Sequence, residues 1–408
     1  MMKNIFRPHY PGMWRIFSGI IFFLLIIIFP YDVSAQVKTG ADQHELYYPM
    51  LKGKRIGIVA NNASVIGDFN PVAGGLNIVD LLVRDSILVT RIFSPEHGFR
   101  LNAEAGELVG NQVDSATGIP VVSLYGKHKK PLAGDLAGID VILFDIQDVG
   151  VRFYTYISTL AYVMEACAES SIPLIVLDRP NPNGFYIDGP VLEKKYSSFV
   201  GMHPVPVVYG MTIGEYARMV NGEKWLKNGL QCSLRVVPLA NYSHQTRYIL
   251  PVRPSPNLPN QNAIFLYPSL CFFEGTVISV GRGTDFPFEV YGHPEMKTGS
   301  FTFTPKSIPG TSLHPPFEGL TCRGTDLRGY TRRNPEGAAM INLEWLQEAY
   351  HDWHGKPGFF NGYFNNLAGN SRLQKQIILG KSEKEIRESW QAGIEKFKKI
   401  RMKYLLYE

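Results

Sequence analysis

The fold is decided by the apolar run Val141-Ile142-Leu143-Phe144 and by the polar residues that follow it, Asp145-Ile146-Gln147-Asp148. Consecutive apolar residues predict a strand covered on both faces, because a half-exposed strand would alternate apolar and polar positions. Further along, the spacing of Ile157, Leu160 and Met164 is typical of one face of a helix. A buried strand followed by a helix is the repeating unit of a parallel sheet.

Runs of the same kind lie on both sides of this stretch, and they alternate with helical patterns. They are Arg55-Ile56-Gly57-Ile58-Val59, Val89-Thr90-Arg91-Ile92-Phe93, Val121-Val122-Ser123-Leu124 and Leu174-Ile175-Val176-Leu177. Thr212 and Glu215 have the spacing of a capping box at the start of another helix. The chain is therefore predicted to be an α/β protein with a Rossmann-like, doubly wound parallel sheet.

A proline-dense segment, Pro254-Ser255-Pro256-Asn257-Leu258-Pro259, interrupts this pattern and suggests a domain boundary. Residues 36–256 are predicted to form the Rossmann-like domain, which would carry the catalytic groups. Residues 257–408 are predicted to form a second, smaller α+β domain that completes a cleft. Its helices are expected from Ile341 to Tyr350 and after Ser382, which has Glu385 three residues later.

The N-terminus has the pattern of a signal peptide. Lys3, Arg7 and Arg15 precede an apolar stretch at residues 16–29, and Val33-Ser34-Ala35 resembles a cleavage site. The apolar stretch is short for a membrane span, which needs about 20 residues. We therefore expect residues 1–35 to be removed, leaving an exported protein, periplasmic or secreted, with no stable membrane anchor.

Composition and missing motifs exclude several classes of protein. The formal net charge of +5 over 408 residues, without a long Lys/Arg run, argues against a nucleic-acid partner. The four cysteines are far apart and read as buried small hydrophobes, with one disulfide left open. No H-E-x-x-H, Walker A or G-x-S-x-G motif is present, and His97, His203 and His293 are scattered. Neither a metal nor a cofactor is expected.

The loops after the predicted strands carry the candidate functional residues, because ligands bind at the carboxyl ends of strands in open parallel sheets. Glu96 and His97 follow one strand, and a carboxyl beside an imidazole suits general acid/base catalysis. The alternative is that Glu96 caps a helix or pairs with Arg100.

Residues 145–152 offer a second set of candidates. Asp148 is expected to contact substrate or orient Glu96, and Arg152 could bind a carboxylate through two hydrogen bonds. Asp145, which ends the strand, is either functional or a structural partner of an arginine. Amide and aromatic groups in these loops suit a sugar ring, and they are Tyr125, Gln147 and Tyr154.

Two further segments complete the candidate site. The loop after Leu177 contains Arg179, Asn181 and Asn183. In the predicted second domain, Glu274, Arg282 and Asp285 lie among glycines that allow close approach of a ligand. Glu274 is either a second catalytic carboxylate or a structural partner of Arg282.

These strings closely resemble the NamZ family, formerly a domain of unknown function (DUF1343) and now placed among exo-acting β-N-acetylmuramidases. The resemblance is carried by several motifs: Ser94-Pro95-Glu96-His97-Gly98-Phe99, Ser123-Leu124-Tyr125-Gly126, Phe144 to Tyr156, Leu177-Asp178-Arg179-Pro180-Asn181-Pro182, Tyr209 to Glu215, Pro254 to Pro259 and Gly281-Arg282-Gly283-Thr284. It runs from about Gly53 to the C-terminus. One departure is Val280, where an acidic residue is expected, so no role is transferred to that position.

The resemblance implies release of terminal N-acetylmuramic acid from the non-reducing end of peptidoglycan fragments, in cell-wall turnover or recycling. Its lactyl carboxylate would suit Arg152, Arg179 or Arg282, and its acetamido group would suit Asn181. Glu96 would be the general acid, with His97 and Asp148 setting its pKa. The second catalytic group, the stereochemistry and the oligomeric state stay open. Alternatives are an exported saccharide-binding protein, a cell-wall sugar esterase or deacetylase, or a structural envelope protein.

Overall fold

The computed structural model describes residues 36–70, 74–96, 98–100, 112–354 and 356–408, without the side chains of 68–70 and 74. Residues 36–408 form one compact unit. The expected signal peptide at 1–35 and the candidate His97 lie outside the described residues.

Twelve strands occur in the described part of the chain: β1 (Ile56–Ala60), β2 (Val65–Asn70), β3 (Gly74–Asn77), β4 (Val89–Ser94), β5 (Gln112–Val113), β6 (Pro120–Ser123), β7 (Val141–Asp145), β8 (Leu174–Leu177), β9 (Leu234–Val237), β10 (Val290–His293), β11 (Phe301–Phe303) and β12 (Cys322–Asp326). All five strands predicted from apolar runs are present, with ends that differ by one residue at most.

The described helices are α1 (His44–Leu51), α2 (Ile78–Arg84), α3 (Ala133–Leu136), α4 (Tyr156–Glu169), α5 (Ile213–Gly222), α6 (Gln261–Leu270), α7 (Tyr330–Arg333), α8 (Glu344–Asp352), α9 (Phe364–Ala368), α10 (Arg372–Ile378) and α11 (Glu383–Arg401). The capping boxes predicted at Thr212 and Ser382 are both formed. Helix α8 begins three residues later than the periodicity suggests, after Leu343.

The main sheet among the described residues has the order β5-β6-β4-β1-β7-β8-β9, parallel except for the edge strand β5. Counted along the chain, the parallel strands follow the order 3-2-1-4-5-6 of the Rossmann arrangement. Strands β1 and β7 are neighbours at the point where the direction of winding reverses. This is the position at which a doubly wound sheet opens a crevice for ligands.

Strand β7 shows why its run is apolar at consecutive positions. Ile142 and Phe144 pack with helix α4 in one hydrophobic core, while Val141 and Leu143 pack in a second core that includes α1 and α2. Alternate side chains of a strand point to opposite faces, so a strand covered by helices on both sides must be apolar throughout. The expected doubly wound sheet is confirmed.

A smaller antiparallel sheet, in the order β10-β12-β11, lies in the C-terminal part and has its own small core around Val290, Phe303 and Cys322. Helices α7 to α11 follow it. The C-terminus then returns to the main sheet, where the Tyr407 hydroxyl donates to Asp178 Oδ2 over 2.6 Å. The expected α/β fold with a smaller α+β part is confirmed, whereas the boundary at residue 256 stays a prediction.

All four cysteines are buried with free thiols, as expected for small hydrophobic residues. No helix in the described part of the chain combines the length and the apolar character that crossing a membrane requires.

Candidate active site

A cleft of about 430 Å³ opens at the carboxyl ends of β4, β6 and β7. Its wall also includes residues from the C-terminal part of the chain, so both parts contribute to one site. Polar and charged groups face the cleft, and they are Glu96, Tyr125, Lys129, Tyr154, Thr155, Tyr156, Ser198, Ser255, Asn257, Tyr267, Glu274, Arg282 and Tyr363. The predicted residues that the structure brings together here are Glu96, Tyr125, Tyr154, Glu274 and Arg282.

Glu96 reaches the cleft because strand β4 ends at Ser94 and Pro95 turns the chain. The Ser94 carbonyl accepts from the Leu124 amide over 2.8 Å, which ties the ends of two neighbouring strands together. The carboxylate is half-buried, and its Oε2 accepts a 3.0 Å hydrogen bond from the Thr155 hydroxyl. Thr155 precedes helix α4 on the loop after β7. Side chains from different strand ends therefore hold Glu96 in the cleft.

Tyr125 lies beside Glu96, on the loop after β6. Burial raises the pKa of its phenol, and the neighbouring Glu96 carboxylate raises it further. A neutral phenol can donate a hydrogen bond to Glu96 or to a substrate oxygen. Tyr125 is therefore suited to orienting the carboxyl group.

Glu274 and Arg282 form the second charged feature of the cleft. Glu274 lies on a single 3-10 segment after helix α6, and Arg282 Nε donates to its Oε1 over 2.7 Å. Burial alone would lower the pKa of Arg282, but the Glu274 carboxylate holds it above its ordinary value. Glu274 is thus the structural partner of Arg282 and also faces the cleft, while a catalytic role for it stays a prediction.

The floor of the cleft is aromatic. The rings of Tyr154 and Tyr156 are 4.7 Å apart, and both hydroxyls donate to the Pro254 carbonyl. Phe153 packs against Tyr267 with ring centroids 5.4 Å apart. The proline-dense segment at 254–259, which suggested a domain boundary, also lines the cleft through Ser255, Asn257 and Leu258.

Arg152 does not line the cleft. Its side chain is fully buried, and its guanidinium donates to the carbonyls of Pro190, Val205 and Leu367 at 2.7 to 2.9 Å. Burial lowers the pKa of Arg152 to about 9. It joins segments that are distant in sequence, and it faces no substrate space.

Arg179 is also buried and forms two hydrogen bonds to Asp145, of 2.5 and 2.7 Å. Asp145 is therefore the structural partner of an arginine. The amides of the same region bond to the main chain: Gln147 to Asp148 and Pro180, Asn181 to Met211, and Asn183 to Val149. None of these residues faces the cleft, and Asp285 is exposed away from it.

Asp148 is buried beneath the site. Its Oδ2 accepts hydrogen bonds from the Gly150 amide and the Tyr209 hydroxyl, whereas no described group bonds to Oδ1. Burial raises the pKa of Asp148 to about 6, against the opposing effect of these donors. No hydrogen bond links Asp148 to Glu96 among the described groups.

This raised pKa predicts a pH effect on stability. The folded state holds a proton that the unfolded chain releases between about pH 4 and 6, so ionisation of Asp148 destabilises the fold as pH rises. Asp148→Asn keeps both accepted hydrogen bonds and removes the charge. We expect the free energy of unfolding of the variant, relative to the parent, to rise by about 2–3 kcal/mol from pH 4 to 7.

Urea unfolding of both proteins across this range measures the difference. Asp178 and Glu215, with pKa values raised by burial to about 6 and about 7, act in the same direction. His203 and His244, lowered to about 4, act in the opposite direction. Their contributions cancel in the comparison of variant and parent, so a difference that does not change with pH would contradict the prediction.

Sequence reasoning missed several residues of the cleft: Lys129, Thr155, Ser198, Phe199, Asn257 and Tyr363. Thr155 and Asn257 lie within the motifs Phe144 to Tyr156 and Pro254 to Pro259, so the sequence could have identified them. Nothing in the local sequence marks Lys129, Ser198, Phe199 or Tyr363, because tertiary contacts bring them to the cleft. Among the described residues, no three metal-ligating side chains form a cluster.

The fold and the cleft define the class: an α/β protein with a Rossmann-like sheet and a cleft lined by aromatic rings and by two carboxylates, Glu96 and Glu274, the kind of group that glycosidases use. Two family models match the chain, the N-terminal domain of the exo-β-N-acetylmuramidase NamZ at residues 56–262 and its C-terminal domain at 265–407. The chain belongs to the NamZ family.

Relatives agree with this assignment. The chain is 41% identical over 391 residues to the peptidoglycan β-N-acetylmuramidase NamZ of Bacillus subtilis (strain 168), covering 91% of this chain and 92% of the relative. It is similar to a crystal structure of a DUF1343 family protein from Bacteroides fragilis, with a TM-score of 0.83, 45% identity and coverage of 92% and 99%. A second such protein from that organism has a TM-score of 0.71, 27% identity and coverage of 91% and 99%.

Proposed function

We propose that this chain is an exo-acting glycoside hydrolase that releases terminal N-acetylmuramic acid from the non-reducing end of peptidoglycan fragments. Membership of the NamZ family makes the chain a glycosidase, and the relative from Bacillus subtilis is named for action on peptidoglycan. The carrying observation is the position of Glu96, whose carboxyl group faces a polar cleft that both parts of the chain line.

Glu96 is assigned the role of general acid. Cleavage of a glycosidic bond requires protonation of the leaving oxygen, and a carboxyl group supplies that proton in most glycosidases. The Thr155 hydroxyl and the Tyr125 phenol restrict the orientation of Glu96. His97 stays a candidate for orienting Glu96. Asp148 is too enclosed by protein to contact substrate directly.

Two candidates for the second catalytic group are Glu274 and the acetamido group of the substrate itself. Glu274 faces the same cleft, where Arg282 Nε donates a hydrogen bond to its Oε1 and restricts its orientation. Proton NMR of the first anomer released decides the stereochemistry. Retention fits a nucleophile or the acetamido group, and inversion fits activation of water.

Mass spectrometry of products from defined disaccharides tests the proposed activity. The substrates carry either N-acetylmuramic acid or N-acetylglucosamine at the non-reducing end. We expect free N-acetylmuramic acid from the first substrate and no cleavage of the second. Tight binding without products would identify a saccharide-binding protein, and release of acetate with an intact disaccharide would identify a deacetylase.

We also propose that the enzyme is exported, periplasmic or secreted, and acts without a stable membrane anchor. The support is the basic, then apolar, then small-residue pattern of residues 1–35. N-terminal sequencing of protein recovered from outside the cytoplasm is expected to begin at Gln36. A mature protein that begins at Met1 and stays in the cytoplasm would overturn this proposal.

A further inference from the structure

The charges of the cleft leave one cation without a counter-charge. The described lining holds two carboxylates, Glu96 and Glu274, and two cations, Lys129 and Arg282. Arg282 is hydrogen bonded to Glu274, and the two charges largely cancel. Arg152 and Arg179, which the sequence suggested as partners of a substrate carboxylate, do not face the cleft. Lys129 is the remaining candidate within the described lining.

Lys129 is held by an aromatic ring. It follows the turn at Tyr125–Gly126, and its Nζ lies 4.5 Å from the centre of the Phe199 ring. Among the described residues, Lys129 forms no ion pair with any carboxylate. Its neighbour Lys130, in contrast, pairs with Glu165 and Glu169. The ammonium group of Lys129 is thus positioned at the cleft while its charge is left unpaired.

Phe199 is itself positioned firmly. It lies at the tip of a tight turn that two hydrogen bonds of 2.9 and 3.0 Å close between Ser198 and Gly201. Its ring stacks on Tyr162, with centroids 6.1 Å apart. Because the Phe199 ring on this turn contacts the ammonium of Lys129, the position of that ammonium does not depend on a carboxylate partner.

A second group on the same wall has unused hydrogen-bonding capacity. The Ser198 hydroxyl is enclosed by protein, and no described group bonds to it. Lys129 and Ser198 together offer a positive charge and a hydroxyl donor. A carboxylate uses both kinds of donor, and a neutral sugar hydroxyl has no need of the charge.

We propose that Lys129, assisted by Ser198, binds the lactyl carboxylate of the terminal muramic residue and makes the cleft selective for muramic acid over glucosamine. This inference rests on the proposed function. The unpaired ammonium of Lys129 attracts an anionic sugar into the cleft, and this attraction is absent for a neutral sugar. The charge, and not the shape of the ring, then separates the two N-acetylated sugars.

The test compares Lys129→Met with Lys129→Arg and with the control Lys127→Met. Lys127 is exposed on the same loop and does not line the cleft. KM and kcat are measured with a chromogenic β-N-acetylmuramide. Inhibition constants are measured with free N-acetylmuramic acid and free N-acetylglucosamine, which avoids the need for turnover of the neutral sugar.

We expect Lys129→Met to raise KM for the muramide and the inhibition constant of N-acetylmuramic acid by about 10- to 100-fold, the range of a charge-assisted hydrogen bond. The inhibition constant of N-acetylglucosamine and kcat should change less than about threefold. Lys129→Arg should recover part of the loss, and Lys127→Met should match the parent.

Three results would overturn the inference: unchanged constants in Lys129→Met, equal losses for both sugars, or loss of selectivity in Arg282→Gln but not in Lys129→Met. A further ligand is a muramide whose lactyl group is joined to a peptide through an amide bond. In this ligand the lactyl carboxylate is lost and the peptide supplies the only carboxylates, so it distinguishes the two possible partners of Lys129. If Lys129→Met weakens only that ligand, the peptide carboxylate is the partner and the lactyl assignment is wrong. Failure of the parent protein to release any sugar would instead refute the proposed function.

Discussion

Replacing Glu96 by glutamine is expected to lower kcat for release of N-acetylmuramic acid from a disaccharide by about 10²- to 10⁴-fold. Glutamine keeps the size of the side chain and can accept the hydrogen bond from Thr155, but it has no proton to transfer. An activated nitrophenyl leaving group needs less protonation than a sugar hydroxyl. The loss of kcat on a nitrophenyl muramide should therefore be smaller than the loss on the disaccharide.

Steady-state kinetics on both substrates provide the measurement. Glu395→Gln is the control, because this carboxylate is 59% exposed on helix α11 and, within the part of the chain that the structure describes, forms an ion pair with Lys398 alone. Equal losses on the two leaving groups would mean that Glu96 positions substrate without donating a proton. Activity at the parent level would remove Glu96 from the mechanism altogether.

Replacing Arg179 by methionine is expected to lower the free energy of unfolding by about 3–5 kcal/mol. Asp145 is fully buried, and Arg179 provides its two charge-assisted hydrogen bonds. Without the guanidinium, a carboxylate stays enclosed at the end of the central strand β7 with no counter-charge. The cost of desolvating that charge dominates the expected effect.

The exposed pair Arg55–Asp140 is a matched control. It has the same two-bond geometry, at 3.1 and 2.8 Å, but its side chains are 51% and 34% exposed. Arg55→Met should cost less than about 1 kcal/mol in urea unfolding. Combining Arg179→Met with Asp145→Leu should recover part of the loss. Equal effects of the two arginine substitutions would show that burial is not the cause.

Local patterns determined the secondary structure that frames the site. The apolar run Val141–Phe144 required a strand covered on both faces, and the capping boxes at Thr212 and Ser382 marked helix starts that the structure confirms. Glu96, Tyr125 and Tyr154 were found together because neighbouring parallel strands end at the same edge of the sheet. Interactions between residues close in sequence, together with the rule that neighbouring parallel strands end at the same edge, are enough to predict these parts of the fold and the site.

The choice among similar side chains was decided by tertiary structure. Arg152, Arg179 and Arg282 looked equally suited to bind a carboxylate. In the structure, Arg152 donates to main-chain carbonyls, including that of Leu367, which is distant in sequence, and Arg179 pairs with Asp145. Of the three, Arg282 alone faces the cleft. Lys129, which carries no local signal, is supported there by Phe199 from another segment.

The sequence by itself determined the family, the α/β sheet and the strand ends that carry the chemistry, because these follow from patterns within short segments. Which charged groups are buried and which stay free for a ligand was decided only by the tertiary structure. Burial and pairing depend on partners that lie far away along the chain. The type of a side chain does not show whether its charge is already paired with an opposite charge in the folded protein.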